Sequence, residues 1–283
     1  MAALTDLSDL INRQTGGNSG SPENCYFSKQ ARVAGAAAPA VIAGRQHSLW
    51  RYDGTPGGGA VPTAAAIPDR TTIGAIPFTA PGGGREKHGI SAGIASTVSG
   101  VYFLYDRLFH IGGLNGTLTT AQTVQGATPS PAITRSTSGA GNVMFYEIYT
   151  AIGITSRTLT VTYTNESGVT GRTSTINIGA TGFSEASRFQ RIPLSAGDLG
   201  VRAVENVQLS GTTGTAGDFG ITIANQVAFL PCGVAGGGGW RDWTTGLPGI
   251  PQIDPNSCLA LSFQGSAIAA PEISFGFLAT VEK

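Results

Sequence analysis

The stretch Ile273-Ser274-Phe275-Gly276-Phe277-Leu278-Ala279-Thr280-Val281, near the end of the 283-residue chain, carries apolar side chains at every second position. Ile273, Phe275, Phe277, Ala279 and Val281 therefore share one face, which an extended strand produces and a helix of 3.6 residues per turn does not. The same period recurs upstream. Leu259, Leu261 and Phe263 alternate with Cys258, Ala260, Ser262 and Gln264, and Leu159, Val161 and Tyr163 alternate with Thr158, Thr160, Thr162 and Thr164. Residues 101–104 and 143–148 are instead nearly continuous apolar or aromatic runs, the pattern of strands covered on both faces.

Turn residues punctuate these runs. Asn165-Glu166-Ser167-Gly168 precedes a strand over 173–178 and Gly211-Thr212-Thr213-Gly214 precedes one over 219–223, so both read as hairpin connections. Along 201–209 the face formed by Val201, Ala203, Val207 and Leu209 is interrupted by Glu205, which fits a bulge or rim residue better than a functional acid. Strands separated by such turns, with no recurring helix, predict a mainly β fold: an antiparallel β-sandwich or jelly-roll-like body rather than βαβ units. No internal repeat of fixed period is present.

The first 95 residues read differently. Leu4, Leu7, Leu10 and Ile11 lie on one face of a short helical pattern that ends at Gly16-Gly17, with Thr5 or Asp6 as its cap. So short a helix is marginal alone in water and needs a surface to dock on, in its own domain or on a neighbouring subunit. Residues 14–95 are rich in Ala, Gly and Pro, with Pro56-Gly57-Gly58-Gly59 and Pro81-Gly82-Gly83-Gly84 as loop markers. The expected organisation is an extended, loop-rich arm over 1–95 that contacts partners, followed by a β body over 96–283.

Composition narrows the function. Lys and Arg together number 17, as do Asp and Glu, and charged residues are only 12% of the chain against 41% hydrophobic. That balance provides no electrostatic footprint for nucleic acid or an anionic membrane. Glycine, at 42 residues, is about twice as common as usual and lies between apolar runs as turn punctuation. So little charge disfavours a free monomer and suits a protein within an assembly. Cys25, Cys232 and Cys258 lack metal-knuckle or paired spacing and read as small buried side chains. Residues 1–9 lack a basic region followed by an apolar one, and no apolar run nears membrane-spanning length, so synthesis and assembly in a cytoplasm are expected.

Catalytic chemistry finds little support. His47, His88 and His110 are widely spaced, and Arg85-Glu86-Lys87-His88 lacks the second histidine of a zincin helix. No G-x-S-x-G elbow is present. The Gly211, Gly214 and Gly217 spacing matches neither a dinucleotide fingerprint nor a P-loop. Asp106, Glu147, Glu166, Asp198 and Asp218 could supply a pair of carboxylates for glycoside hydrolysis, but nothing in the sequence selects a pair. Asn115-Gly116-Thr117 and Asn165-Glu166-Ser167 match the glycosylation pattern and read as turn sequences. No catalytic residue, metal ligand or cofactor is expected.

The most distinctive stretch is Gly236-Gly237-Gly238-Gly239-Trp240-Arg241-Asp242-Trp243, followed by Leu247-Pro248-Gly249-Ile250-Pro251. Tryptophans beside an arginine in a Gly/Pro-rich loop fit three roles: a cover over the open end of the sandwich, anchors of a subunit interface, or a platform for a sugar ligand. Together with the helix, this selects Leu7, Leu10, Ile11, Trp240, Arg241 and Trp243 as candidate interface residues.

Three segments also carry a resemblance. The LTDLSDLINRQTGGNSG opening at 4–20, the Gly/Thr-rich segment at 197–217 and the GGGGWRDWTTGLPGIP stretch at 236–251 resemble virion structural proteins of tailed bacteriophages, within them the capsid decoration, or cement, proteins. The likeness is one of style and order over most of the chain and brings no catalytic residue. It implies a homotrimer with a β-sandwich body on the outer capsid surface, an arm gripping the major capsid protein, and neither nucleic acid nor membrane as partner. The chain departs from the shell-forming major capsid protein, whose long spine helix has no counterpart here. A tail- or fibre-associated protein binding host glycan through Trp240 and Trp243 is the alternative, and a carbohydrate-active enzyme on a β-sandwich a distant third.

Overall fold

The computed structural model describes residues 7–14, 22–30, 41–244, 249–266 and 272–283. One helix, α1 (Leu7–Gln14), is followed in chain order by β1 (Glu23–Gln30), β2 (Gln46–Ser48), β3 (Asp53–Thr55), β4 (Lys87–Ser96), β5 (Gly100–Leu114), β6 (Gln122–Thr123), β7 (Asn142–Thr150) and β8 (Arg157–Asn165). Then come β9 (Arg172–Ile178), β10 (Phe189–Ile192), β11 (Val201–Leu209), β12 (Asp218–Cys232), β13 (Gly238–Asp242), β14 (Gln252–Ile253), β15 (Leu259–Gly265) and β16 (Ile273–Glu282). The fold is mainly β, with antiparallel pairing throughout the described strands, as the alternating runs predict.

Among the described residues, three sheets result. The first has the order β13-β4-β16-β1-β3, with β14 also paired to β4; the second is β10-β7-β12-β5-β15-β2; the third is β6-β11-β8-β9. The second sheet is central. Its two longest strands, β5 and β12, have 15 residues each and so extend about 50 Å, far enough to serve two cores. One half packs on the first sheet, bringing Tyr102, Leu104, Leu230 and Phe263 against Phe27, Ile94 and Leu278. The other half packs on the third, bringing Phe109, Tyr146 and Ile221 against Leu159, Val161, Tyr163 and Val204.

The sheets run across the expected boundary near residue 95. The 23–96 region supplies β1 to β4, and β1 and β4 flank β16 on either side. Lys87 on β4, fully buried, reaches Glu23 of β1 at 2.5 Å and Glu282 of β16 at 3.7 Å. Ala- and Gly-rich composition hid β4, because small residues can pack on both faces without showing the alternation of large and small that marks a half-buried strand, and β2 and β3, at three residues each, are too short to show a period.

Two further expectations are corrected. The turn at 165–168 does make a hairpin, since β8 pairs with β9, but the connection over 211–217 links β11 in the third sheet to β12 in the central one; it is a crossover between layers. The alternation along β15 predicts one polar face, yet Ala260 and Ser262 are buried too, because Trp50 and Ala75 cover the side away from the main core. Glu205 sits at a register shift between β11 and β8, as a bulge residue, and accepts hydrogen bonds from Thr164 Oγ1 and Gly171 N.

Candidate interaction surface

β16 has the expected period of two, but its faces are assigned the other way round at one end. Ser274, Leu278 and Thr280 point into the core, and Phe275 is exposed. The neighbours decide this. Phe27 of β1 projects inward and its ring occupies the space over Gly276, where a Cβ would stand only 2.4 Å from the ring. A glycine at 276 lets that aromatic cross the strand, and the larger residues of β16 are left on the outer face.

That outer face collects aromatic side chains from three of four adjacent strands. Trp240 of β13 stands opposite Gly93 of β4, Gly93 opposite Phe277 of β16, and Phe277 opposite Tyr26 of β1. Residues directly opposite one another point to the same side, so these form one row across the sheet. Gly93 again makes room: a Cβ there would lie 2.6 Å from Phe277 Cε1. Trp240 and Phe277 meet edge to face over it, with centroids 5.5 Å apart and planes at 70°. The next row carries Phe275 between Ala95 and Ser28. Tyr26, Trp240 and Phe275 remain 68%, 65% and 60% exposed, around a shallow groove of about 540 Å³ that no charged residue lines. Contiguous exposed apolar area of this kind marks an interaction site far more often than isolated apolar residues do.

The expected interface residues part company. Trp240 lies in this row, on an edge strand where the sequence reads as a loop. Trp243, expected alongside it, is 5% exposed in the main core, its backbone N–H bound to Ile90 O; it covers the chain's own interior. Leu10 is buried at 3% against Ile90, Ala279 and Val281, so the helix docks on its own sheet, on the same outer face. Ile11 is 49% exposed and Arg241 is partly exposed; the side chain of Leu7, and the residues Leu4, Thr5 and Asp6, lie outside the described set. Tyr26, Phe275 and Phe277 were missed as surface residues. The pattern of β1, with Cys25 and Phe27 opposing Tyr26, held the signal.

Several buried polar groups pair with one another around Arg107 and Glu147. Arg107 donates to both Glu147 oxygens at 2.6 and 3.3 Å, to Tyr149 Oη at 2.8 Å and to His110 Nδ1 at 3.0 Å. Thr222 Oγ1 donates to Glu147 at 2.6 Å, and the Arg107 guanidinium lies 4.6 Å from the Trp50 ring centre. Burial alone would raise the Glu147 pKa, but Arg107, with Ser48 and Thr222, holds it below the ordinary value. Burial beside Arg107 pushes His110 down to about 2, and burial pushes His47 to about 4, with Arg188 adding to it; both rings are neutral at physiological pH. His88 is 3.4 Å from Glu86.

The remaining expected acids are likewise engaged. Asp106 accepts from Arg135 at 3.0 and 3.1 Å, from Ser257 Oγ and from the Cys258 N–H, at the wall of a polar cleft of about 270 Å³. Asp198 binds Tyr163, Asn165 and Arg172, Glu166 accepts from the N–H groups of Leu199 and Gly200, and Asp218 accepts from Gly113 N. Asn115 and Asn165 each accept from backbone N–H groups two residues on, as turn formers do. Among the described residues no group of three or more His, Cys, Asp or Glu side chains is placed to hold a metal ion.

The class of protein defined by this geometry is an antiparallel three-sheet β protein with one open aromatic sheet face. No protein-family model matches the chain, and no curated protein is similar to it in sequence. Among solved structures it is similar to that of the Gx strain of infectious bursal disease virus, at 7% identity over 93% of this chain and 80% of that one, with a TM-score of 0.19. It is also similar to the VP2 subviral particle of the same virus, at 7% identity over the same shares, with a TM-score of 0.17. Scores of this size do not define a common fold.

Proposed function

We propose that the chain is a non-enzymatic structural component of a virus particle, a decoration protein on the outside of a bacteriophage capsid with the major capsid protein among its partners. The observation that supports this reading is the open aromatic face. A β body that pairs Arg107 with Glu147 and Arg135 with Asp106 in its interior, and that leaves an uncharged aromatic sheet face open, suits stable attachment to other proteins. The low charge content agrees with life in an assembly, and the resemblance of the opening and tryptophan segments supplies the choice of particle.

Cryo-electron microscopy of the parent virion tests this. Density for the three-sheet body is expected on the outer surface of the head; its presence only on the tail, or its absence from purified particles, overturns the proposal. Glycan binding draws on the same aromatics but has less support, because the Tyr26 hydroxyl and the Trp240 indole N–H are the polar side-chain groups lining the groove, and no carboxylate, amide or guanidinium stands there to orient sugar hydroxyl groups. A glycan screen in which binding depends on Trp240 would revive it.

A further inference from the structure

The outer face of the first sheet has relief. At one end α1 lies on it, held by Leu10 against Ile90, Ala279 and Val281. A helix seated on a sheet raises the surface by about 10 Å. At the other end the same face sinks into the groove between Tyr26, Trp240 and Phe275. β16 runs from one to the other, with Phe275 and Phe277 at the groove and Ala279 and Val281 under the helix.

A face with a ridge at one end and a hollow at the other is complementary to itself. Rotation by 180° about an axis that lies in the plane of the face and crosses β16 between them places the ridge of each copy over the hollow of the other. That is the isologous contact of a C2 dimer, the commonest closed symmetry among homo-oligomers. A surface meeting its own copy must also avoid opposing like charges, and the groove has none among its lining residues. On the flank of α1, about 100° round the helix from Leu10, Ile11 is 49% exposed and offers an apolar branch of a size to enter an aromatic hollow.

The area is sufficient. An aromatic side chain presents roughly 150–250 Å², so three that are 60–68% exposed leave about 400 Å² of each groove in water. Covering two grooves and the two ridges that fill them removes on the order of 1,600 Å², the size of a standard stable interface.

We infer that the aromatic groove of each chain is filled by α1 of a second copy, in a two-fold dimer of this protein. The inference rests on the reading of this face as a docking surface and names its partner; it differs from the three-fold assembly that the bacteriophage resemblance implies.

Light scattering and sedimentation of the full chain across a hundred-fold range of concentration provide the test. Twice the chain mass is expected, falling to the monomer on dilution. Trp240→Glu and Ile11→Lys each alter an exposed side chain, so circular dichroism, and melting at a concentration where wild type is already monomeric, are expected to be unchanged, while dimer dissociation constants rise at least ten-fold. Mixing the two variants is expected to restore dimer, because the carboxylate introduced in one copy then faces the ammonium group introduced in the other. A monomer at every concentration, a trimer, or a dimer indifferent to both changes overturns the inference.

Binding to empty shells of the parent particle separates the two proposals. A monomer that binds shells through Trp240 refutes the second copy and keeps the capsid reading; a dimer that behaves as expected but binds no shell refutes the capsid reading and keeps the dimer.

Discussion

Changing Glu272 to Gln alters a single ionisable group in an unusual position. Glu272 is fully buried, one residue before β16. Its carboxyl group accepts from the Tyr102 hydroxyl, and among the described residues its Oε2 has no hydrogen-bond partner. Burial therefore pushes its pKa up, from an ordinary 4.5 to about 7, against the weaker pull of Tyr102 and Ser274. Below pH 4.5 the group is protonated in both folded and unfolded chains and costs nothing. Between 4.5 and about 7 the unfolded chain gives up the proton while the folded chain keeps it, so stability falls with rising pH; above 7 the loss is complete. At about 1.4 kcal/mol per pH unit, the interval from 4.5 to about 7 corresponds to roughly 3 kcal/mol. Glutamine keeps an acceptor for Tyr102 and carries no charge. Urea unfolding of wild type and Glu272→Gln at pH 5, 6, 7 and 8 should show the variant gaining relative to wild type, by under about 1 kcal/mol at pH 5 and about 3 kcal/mol at pH 8. The comparison must be between the two proteins at each pH. His47 and His110 have lowered values and cost stability in the opposite direction, as pH falls below 6.5, but they cancel in the difference. A stability difference that does not change with pH would refute the reasoning.

Three other outcomes follow from the buried groups and the two tryptophans. Arg107→Leu leaves Glu147 buried without its counter-charge and should cost about 3–5 kcal/mol in denaturant unfolding, whereas a surface arginine such as Arg202 should cost little. Cys25 and Cys258 are buried, and burial pushes both thiols up to about 12, so neither should react with a thiol reagent at pH 8 until the chain unfolds. Trp243→Ala should lose about 3–5 kcal/mol, the cost of emptying a core site, while Trp240→Ala should change unfolding by no more than about 0.5 kcal/mol despite its effect on association; near-equal losses at the two positions would contradict their assignment to core and surface.

Much of the β class was legible because alternation is a local property. Leu159, Val161 and Tyr163 are buried as their spacing predicts, and the chain turns at 165–168, where its residues favour a turn. Long-range pairing was not legible. The connection over 211–217 looks like any hairpin, and only the placement of β11 and β12 in different sheets shows otherwise. The arm was misjudged for a related reason: β4 contains His88, Gly89, Ala92 and Gly93, a composition that reads as a loop until β16 and β13 are laid beside it.

The aromatic face was the hardest to foresee, and the reason is general to half-buried sheets. A period of two divides a strand into two faces but does not say which one meets the core, since either assignment satisfies the pattern. In β16 the larger face, with Phe275 and Phe277, would be buried if the strand acted alone. It is turned outward because Gly276 admits Phe27 from the inside, so that a neighbour's aromatic fills the core position and β16's own aromatics become surplus to it. Gly93 repeats the device on the other side, giving Phe277 a place to lie and Trp240 an edge to meet. Two glycines on adjacent strands thus do opposite jobs, one closing the core and one shaping the groove. Gly93→Ala should displace the Phe277 ring and weaken association while leaving the core intact, whereas Gly276→Ala, which meets Phe27 on the inner side, should destabilise the fold; melting and light scattering of the two variants should therefore separate cleanly, and a loss of stability at Gly93 equal to that at Gly276 would show that the outer aromatics belong to the core after all.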